Sequence, residues 1–197
     1  MQEKWVLGID EVGRGPLAGP VGIGVVKVSR DFDWALIPGV GDSKVIKPEQ
    51  REALFRRATA LRANGVLDFK IQLISASYID THGIVSALNK GISQALKSLN
   101  LIPEECFIKL DGGLRAPKEF SQETIIKGDA LEPVIGLASI LAKVTRDRHM
   151  VQLHKKYPEY EFLQHKGYGT KLHRARIKEI GLTPIHRVSY CQNILGE

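Results

Sequence analysis

The chain has 197 residues, 43% of them hydrophobic, with a net charge of +6 and a pI of about 9.3, which suits one domain with a buried core. No apolar run approaches the roughly 20 residues that cross a bilayer, and the opening MQEKWVLGID lacks the basic and long apolar regions of a signal peptide. Cys106 and Cys191 lie far apart without CxxC spacing, so neither a disulfide framework nor a cysteine zinc site is indicated, and a reducing cytoplasm is the expected location.

The first predicted strand covers 4–10 and runs into two adjacent acids, Asp10 and Glu11. A turn bearing Gly13, Arg14, Gly15, Pro16, Gly19 and Pro20 leads to a second strand at 21–28, and so compact a connection predicts antiparallel neighbours. A helix over 47–65 follows, with Pro48 near its start, Gly65 just past its end, and Leu54, Ala58 and Leu61 on one face. Alternation in LDFKIQLI predicts a third strand at 67–74. Over 75–100, Ile84, Leu88, Ile92, Ala95, Leu96 and Leu99 recur at helical spacing, and Gly83 predicts a kink or break. CFIKLDG (106–112) reads as a short buried strand ending in an acid, Asp111, and ETIIKGD (123–129) as another ending in Asp129. Pro133 opens a long helix reaching 157, with Ile140, Leu141 and Val144 on its apolar face, and 171–180 is a candidate short helix. This order predicts a mixed α/β layer architecture rather than a regular βαβ array. Cations crowd from Lys143 onward, from Arg146 and Arg148 to Arg187, either as a surface for a polyanion or as a solvated helical face.

Asp10, Asp111 and Asp129 share a context, each after an apolar run. Strands ending at one edge of a sheet would gather them with Glu11. Carboxylates are costly to bury unless paired or bound to metal. A cluster of four would repel, and divalent cations would relieve the repulsion. Oxygen ligands suit Mg²⁺ or Mn²⁺, and two such ions can activate water and stabilise the leaving oxygen in phosphodiester cleavage. The alternative is that each acid only caps a turn or helix. The glycines let main-chain amides approach a ligand and Arg14 could meet a phosphate; equally, the segment could be a tight turn with an exposed arginine.

GIDEVGRGPLAGPV, GDSK (41–44), LDGG (110–113), KGD (127–129), ASILAKVTRD (138–147) and HKGYGT (165–170) together resemble the successive motifs of ribonuclease HII, the type 2 ribonuclease H family, over nearly the whole chain. The Gly-Arg-Gly form resembles HII rather than HIII, which typically has Gly-Thr-Gly and an added N-terminal domain. The resemblance implies a ribonuclease H-like mixed sheet flanked by helices, in one domain over 1–197, with about 150–197 as a basic helical C-terminal extension. It implies a monomeric, Mg²⁺- or Mn²⁺-dependent endonuclease using two ions. Its substrates would be RNA/DNA hybrid and single ribonucleotides in duplex DNA, cut on the 5′ side to leave 3′-hydroxyl and 5′-phosphate ends. The family's four acids fall on Asp10, Glu11, Asp111 and Asp129, and its ribonucleotide-sensing elements on Gly13, Arg14, Gly15 and Tyr168. Only the 2′-hydroxyl separates RNA from DNA at a given sugar, so main-chain groups of 13–15 can bond it while Tyr168 packs on the sugar at the DNA side. Ser43, Lys44, Ser139, Lys143 and Thr145 are candidates for phosphate contacts, although Lys143 and Arg146 could pair with local acids instead.

The chain departs from the family at Leu137, where a small residue is usual and a larger one could alter packing beside the cleft, and at Gly83-Ile84. The ending YCQNILGE has no aromatic pair, so a sliding-clamp-binding peptide is expected to be absent. His165, His173 and His186 are expected at the surface or near phosphates, since they form no metal motif. Two other readings remain: a nuclease or strand-transfer enzyme of the same fold acting on DNA alone, and a non-catalytic hybrid-binding module. The Gly-Arg-Gly turn with Tyr168 weighs against the former, and the presence of all four acids against the latter.

Overall fold

A computed structural model describes residues 3–195 except 42 and 44. Five strands, β1 (Trp5–Val12), β2 (Val21–Ser29), β3 (Leu67–Ile74), β4 (Cys106–Asp111) and β5 (Ser121–Ile125), form one sheet in the order β3-β2-β1-β4-β5. β1 runs antiparallel to β2 and β2 to β3, while β4 and β5 run parallel to β1. The short link between β1 and β2 therefore gives the expected antiparallel pair. β2 is almost wholly buried and reads as a near-continuous apolar run, β1 is buried through its centre, and β5, SQETI, is a polar edge strand.

Helix α2 (Ala76–Lys97) covers one face, with Ala87, Leu88, Ile92 and Ala95 packed against Leu7, Ile9, Ile23 and Ile108. Its sequence break is real: Gly83 is non-helical at φ 79°, ψ 161°. The other face carries α1 (Pro48–Ala63) and α4 (Pro133–Lys156). The first half of α4 is buried from Val134 to Ala142, as in a core helix rather than an amphipathic one. It lies directly on the sheet backbone. A Cβ on Gly8 would fall 2.2 Å from the Val134 carbonyl oxygen, and one on Gly24 2.3 Å from that of Ala138. Larger residues there would lift α4, with Ser139 and Lys143, away from the sheet. Leu137 is fully buried in this second core, packed with Leu54, Ile135 and Leu141, not beside the cleft as expected.

The chain between 123 and 129 departs from the sequence reading. β5 stops at Ile125, Lys127 adopts a left-handed conformation (φ 57°), and Asp129 sits in a short helix, α3 (Gly128–Leu131), not at a strand end. The left-handed residue ends the ladder by turning the chain. Beyond α4, α5 (Phe162–His165), α6 (Lys171–Ile180) and α7 (Val188–Leu195) form the helical extension; α7 is too short to give a periodic signal. Leu17 and Ala18 of the β1–β2 turn join Met150, Tyr160, Phe162, Ile177, Cys191 and Ile194 in a third core. The extension thus grips the turn directly. Leu17 N–H donates to the Gly167 carbonyl at 2.9 Å, and Arg187 N–H to that of Leu17 at 2.7 Å. Both cysteines are buried and free, and no described helix is long and apolar enough to cross a membrane.

Candidate active site

Parallel pairing sets the first feature of the site. Ile9 of β1 lies opposite Leu110 of β4, so the next residues, Asp10 and Asp111, emerge side by side at the same sheet edge. Carboxylate oxygens of Asp10, Glu11 and Asp111 lie within 4.8 Å of one another. Asp129 is outside that group but tied to it, for the N–H groups of Gly128 and Asp129 donate to Asp111 Oδ1 at 2.7 and 3.4 Å. Burial pushes the Asp10 carboxyl up to about 7, opposed by a hydrogen bond from Ser139 and reinforced by the charges of Glu11 and Asp111. Burial also raises the Glu11 carboxyl, against the pull of Arg14, whose Nη1 lies 3.1 Å from Glu11 Oε1. Three hard oxygen donors, short of positive charge, fit a divalent cation such as Mg²⁺ or Mn²⁺.

Helix α4 supplies the site's roof. The Ser139 hydroxyl bonds that of Ser43 at 2.8 Å as well as Asp10, so it braces the acid and the loop before α1. Lys143 Nζ lies 2.7 Å from Asp147, as the local-pairing alternative anticipated, yet its side chain also lines the cavity. Thr145 does not line it; its hydroxyl donates to the Leu141 carbonyl at 2.8 Å within the helix. Lys44 lies outside the described residues.

Beside the acids is a cavity of about 240 Å³ lined by Asp10, Glu11, Asp111 and the segment 12–15, with Ser43, Ser139, Lys143 and Tyr168. Gly13 has φ +81°, and a Cβ there would fall 2.2 Å from Arg146 Nε, so glycine is required by the fold itself. A Cβ on Gly15 would meet nothing within 4 Å. Tyr168 is 41% exposed, and its ring lies over the Arg146 guanidinium at 5.7 Å.

Two arginines counted with the basic stretch prove to be interior. Arg146 and Arg187 are both 0% exposed. Arg146 donates to the carbonyls of Pro20, Ala18 and Lys166 at 2.8, 3.2 and 3.0 Å, joining the β1–β2 turn to the loop carrying Tyr168. It takes carbonyls, not the local acids that the sequence offered. The sequence does hold a signal, for Arg146 falls at helical spacing between Ala142 and Met150, both buried. Arg187, in IHRVSY, has no comparable signal.

The histidines correct the sequence reading more sharply. His165, His173 and His186 are buried around Tyr160 and Phe162, not exposed to phosphates. The rings of His165 and His173 stack at 4.4 Å, and the Nε2 atoms of His173 and His186 lie 3.1 Å apart. Thr183 N–H donates to His186 Nδ1 at 3.0 Å, which leaves His186 Nε2 as donor to His173; His173 Nδ1 then donates to the Tyr168 carbonyl at 3.0 Å. Each neutral ring has one defined tautomer, and the chain of bonds ends on the backbone of Tyr168.

Acids at the ends of two adjacent parallel strands, on a five-stranded mixed sheet beneath a buried helix, define a hydrolytic nuclease of the ribonuclease H type. The chain matches the ribonuclease HII family profile over residues 7–193. It is 41% identical to ribonuclease HII of Geobacillus kaustophilus across 94% of this chain and 67% of that one. The solved ribonuclease H2 of Pyrococcus horikoshii superposes with a TM-score of 0.76 at 30% identity, over 96% of both chains. The chain belongs to the ribonuclease HII family, divalent-metal-dependent enzymes that cleave RNA in RNA/DNA hybrids. The Archaeoglobus fulgidus ribonuclease HII, solved in complex with PCNA, shares the fold, with a TM-score of 0.73 at 22% identity over 92% of this chain and 93% of that one. That complex does not fit the expectation of an absent clamp-binding peptide, and residues 196–197 lie outside those described.

Proposed function

We propose that the chain is an endonuclease that cuts the RNA strand of RNA/DNA hybrids and also cuts 5′ of a single ribonucleotide in duplex DNA, leaving 3′-hydroxyl and 5′-phosphate ends. The carrying observation is one cavity lined both by the carboxylates of Asp10, Glu11 and Asp111 and by the Gly13–Gly15 turn with Tyr168. Chemistry and sugar recognition would then share one rigid element, β1 and its turn.

In this reading Asp10, Glu11, Asp111 and the neighbouring Asp129 hold two Mg²⁺ or Mn²⁺ ions. When bound, such ions polarise the phosphate and lower the pKa of water. Lys143, free to leave Asp147, meets a phosphate oxygen. Main-chain groups of residues 13–15 bond the 2′-hydroxyl, and the half-exposed Tyr168 ring packs on the sugar at the DNA side of the junction, where a second 2′-hydroxyl would not fit. A site built to bond a hydroxyl rejects the sugar that lacks it, because its polar groups stay unpaired. All these groups come from one chain, which supports a monomer as the working unit and 1–197 as one catalytic domain with 150–197 as its basic extension.

The test is cleavage of matched duplexes containing zero, one and several ribonucleotides in Mg²⁺, Mn²⁺ or chelator. Cuts 5′ of the ribonucleotide, lost in chelator and absent from all-DNA duplex, are expected. Equal cutting of all-DNA duplex would favour a DNA nuclease instead.

A further inference from the structure

Arg187 is a buried cation with no described carboxylate paired to it. Its guanidinium instead donates to main-chain carbonyls of a single turn. Nη2 reaches Gly13 at 2.7 Å and Gly19 at 3.0 Å, Nη1 reaches Arg14 at 2.8 Å, and Nε reaches Gly19 at 3.1 Å. Burial lowers its pKa to about 10, with the nearby Arg146 charge second, so it stays charged at neutral pH. A planar fork can hold several carbonyls at fixed angles, which an ammonium cannot.

The backbone of Arg187 is itself anchored. Its N–H bonds Leu17, and the next two amides, of Val188 and Ser189, donate to Asp80 of α2 at 2.7 and 3.1 Å. The Tyr190 ring covers the guanidinium at 5.2 Å.

Peptide geometry turns this anchor into a statement about the cavity. No peptide bond here is cis, and in a trans peptide the carbonyl of one residue points opposite to the N–H of the next. Carbonyls of Gly13 and Arg14 drawn inward to Arg187 therefore force the N–H groups of Arg14 and Gly15 outward. Both residues line the cavity beside the acids. Among the described residues neither amide donates to a protein acceptor.

We propose that Arg187 is a positioning residue for ribonucleotide recognition: by fixing two carbonyls inward, it aims the amides of Arg14 and Gly15 at the substrate's 2′-hydroxyl. It acts from behind the turn, touching neither substrate nor the acids. The proposal rests on the sugar-sensing role given to the turn above, and the experiment separates the two.

The wild-type chain is assayed first on duplexes with zero and one ribonucleotide. If it does not distinguish them, the sensing role fails before Arg187 is tested. If it does, Arg187→Lys, which keeps the charge but loses the fork, is compared by three readouts. Cleavage of the one-ribonucleotide duplex is expected to fall about a hundredfold, as for a small misplacement of a recognition group. Mn²⁺ affinity is expected to stay unchanged. The binding preference for the one-ribonucleotide over the all-DNA duplex, measured in Ca²⁺, is expected to vanish with all-DNA affinity unaltered. A merely structural role would weaken both duplexes alike and leave the preference. A folded Arg187→Lys with wild-type preference overturns the proposal. If the variant does not fold, hydrogen-bond scalar couplings decide the matter in the wild-type protein bound to the one-ribonucleotide duplex. Couplings from the Arg187 guanidinium to the Gly13 and Arg14 carbonyls support it, and their absence overturns it.

Discussion

Asp10 combines burial, two acidic neighbours and a serine hydrogen bond, and burial dominates, holding its carboxyl near 7 against an ordinary 3.8. A folded-state pKa raised this way favours the fold at low pH and progressively disfavours it as pH rises from about 4 to about 7. The contribution of this one group to the stability of the metal-free protein should accordingly fall across that window, by at most about 1.4 kcal/mol per pH unit, against the opposite slope of the buried histidines. Asp10→Asn should remove the slope and raise the melting temperature in chelator at neutral pH, while cutting turnover on the order of a thousandfold, the scale of losing a transition-state electrostatic group. Thermal melts with chelator from pH 4 to 7, paired with turnover in Mn²⁺, check both; near-normal turnover would remove Asp10 from the metal site. The two turn glycines give a second contrast. Gly15→Ala leaves the fold untouched, since its Cβ meets only open space, and should lose activity chiefly on the single-ribonucleotide duplex. Tyr168→Ala should show the same selective loss, with Tyr168→Phe retaining more if ring packing dominates. Unchanged rates and an unchanged ratio between the single- and multi-ribonucleotide duplexes would make both residues structural.

At the scale of elements, the C-terminal helices do more than lengthen the chain. They clamp the β1–β2 turn through Arg187, and the Tyr168 loop is held by the histidine chain and by Arg146 of α4. That chain sets a pH limit. Burial is the main cause lowering His173 and His186 to about 4, and His165 is lowered as well. Unfolded histidines take up protons below about 6.5 while the buried ones stay neutral, so stability is full above that pH and lost as pH falls toward 4. This slope opposes that of Asp10, so it is best read in the Asp10→Asn background. Urea unfolding there should show stability falling between pH 6.5 and 4, and His173→Gln should flatten the fall. An unaltered slope in His173→Gln would show that this histidine is not held neutral.

Across the whole molecule, the basic balance is less concentrated on the surface than the sequence count suggests. Arg146 and Arg187 are interior, Arg148 pairs with Glu52, and Arg176 with Glu179. Lys155, Lys156, Lys171, Arg174 and Lys178 remain exposed. Hybrid binding should still weaken steeply with salt through counterion release, and Lys171→Ala should lower the slope by about one if that cation meets a phosphate. A flat salt dependence would mark the stretch as a solvated face only.

The strands, the long helices, the antiparallel start and the break at Gly83 were legible in the sequence, because each depends on a local pattern of apolar spacing, proline and glycine. The adjacency of Asp10 and Glu11 is likewise a fact of the chain, and the family motifs pointed to Asp111 and Asp129 as their partners, of which Asp111 joins the group. Tertiary structure alone decided which acids meet: the register of β1 on β4 brings Asp111 to Asp10, while a left-handed Lys127 moves Asp129 from a strand end onto a helix. It also decided the fate of the charges. Whether an arginine faces water or a ring of carbonyls depends on neighbours more than a hundred residues away, as for Arg146 with Pro20 and Arg187 with Gly13, and no local spacing encodes so distant a pairing.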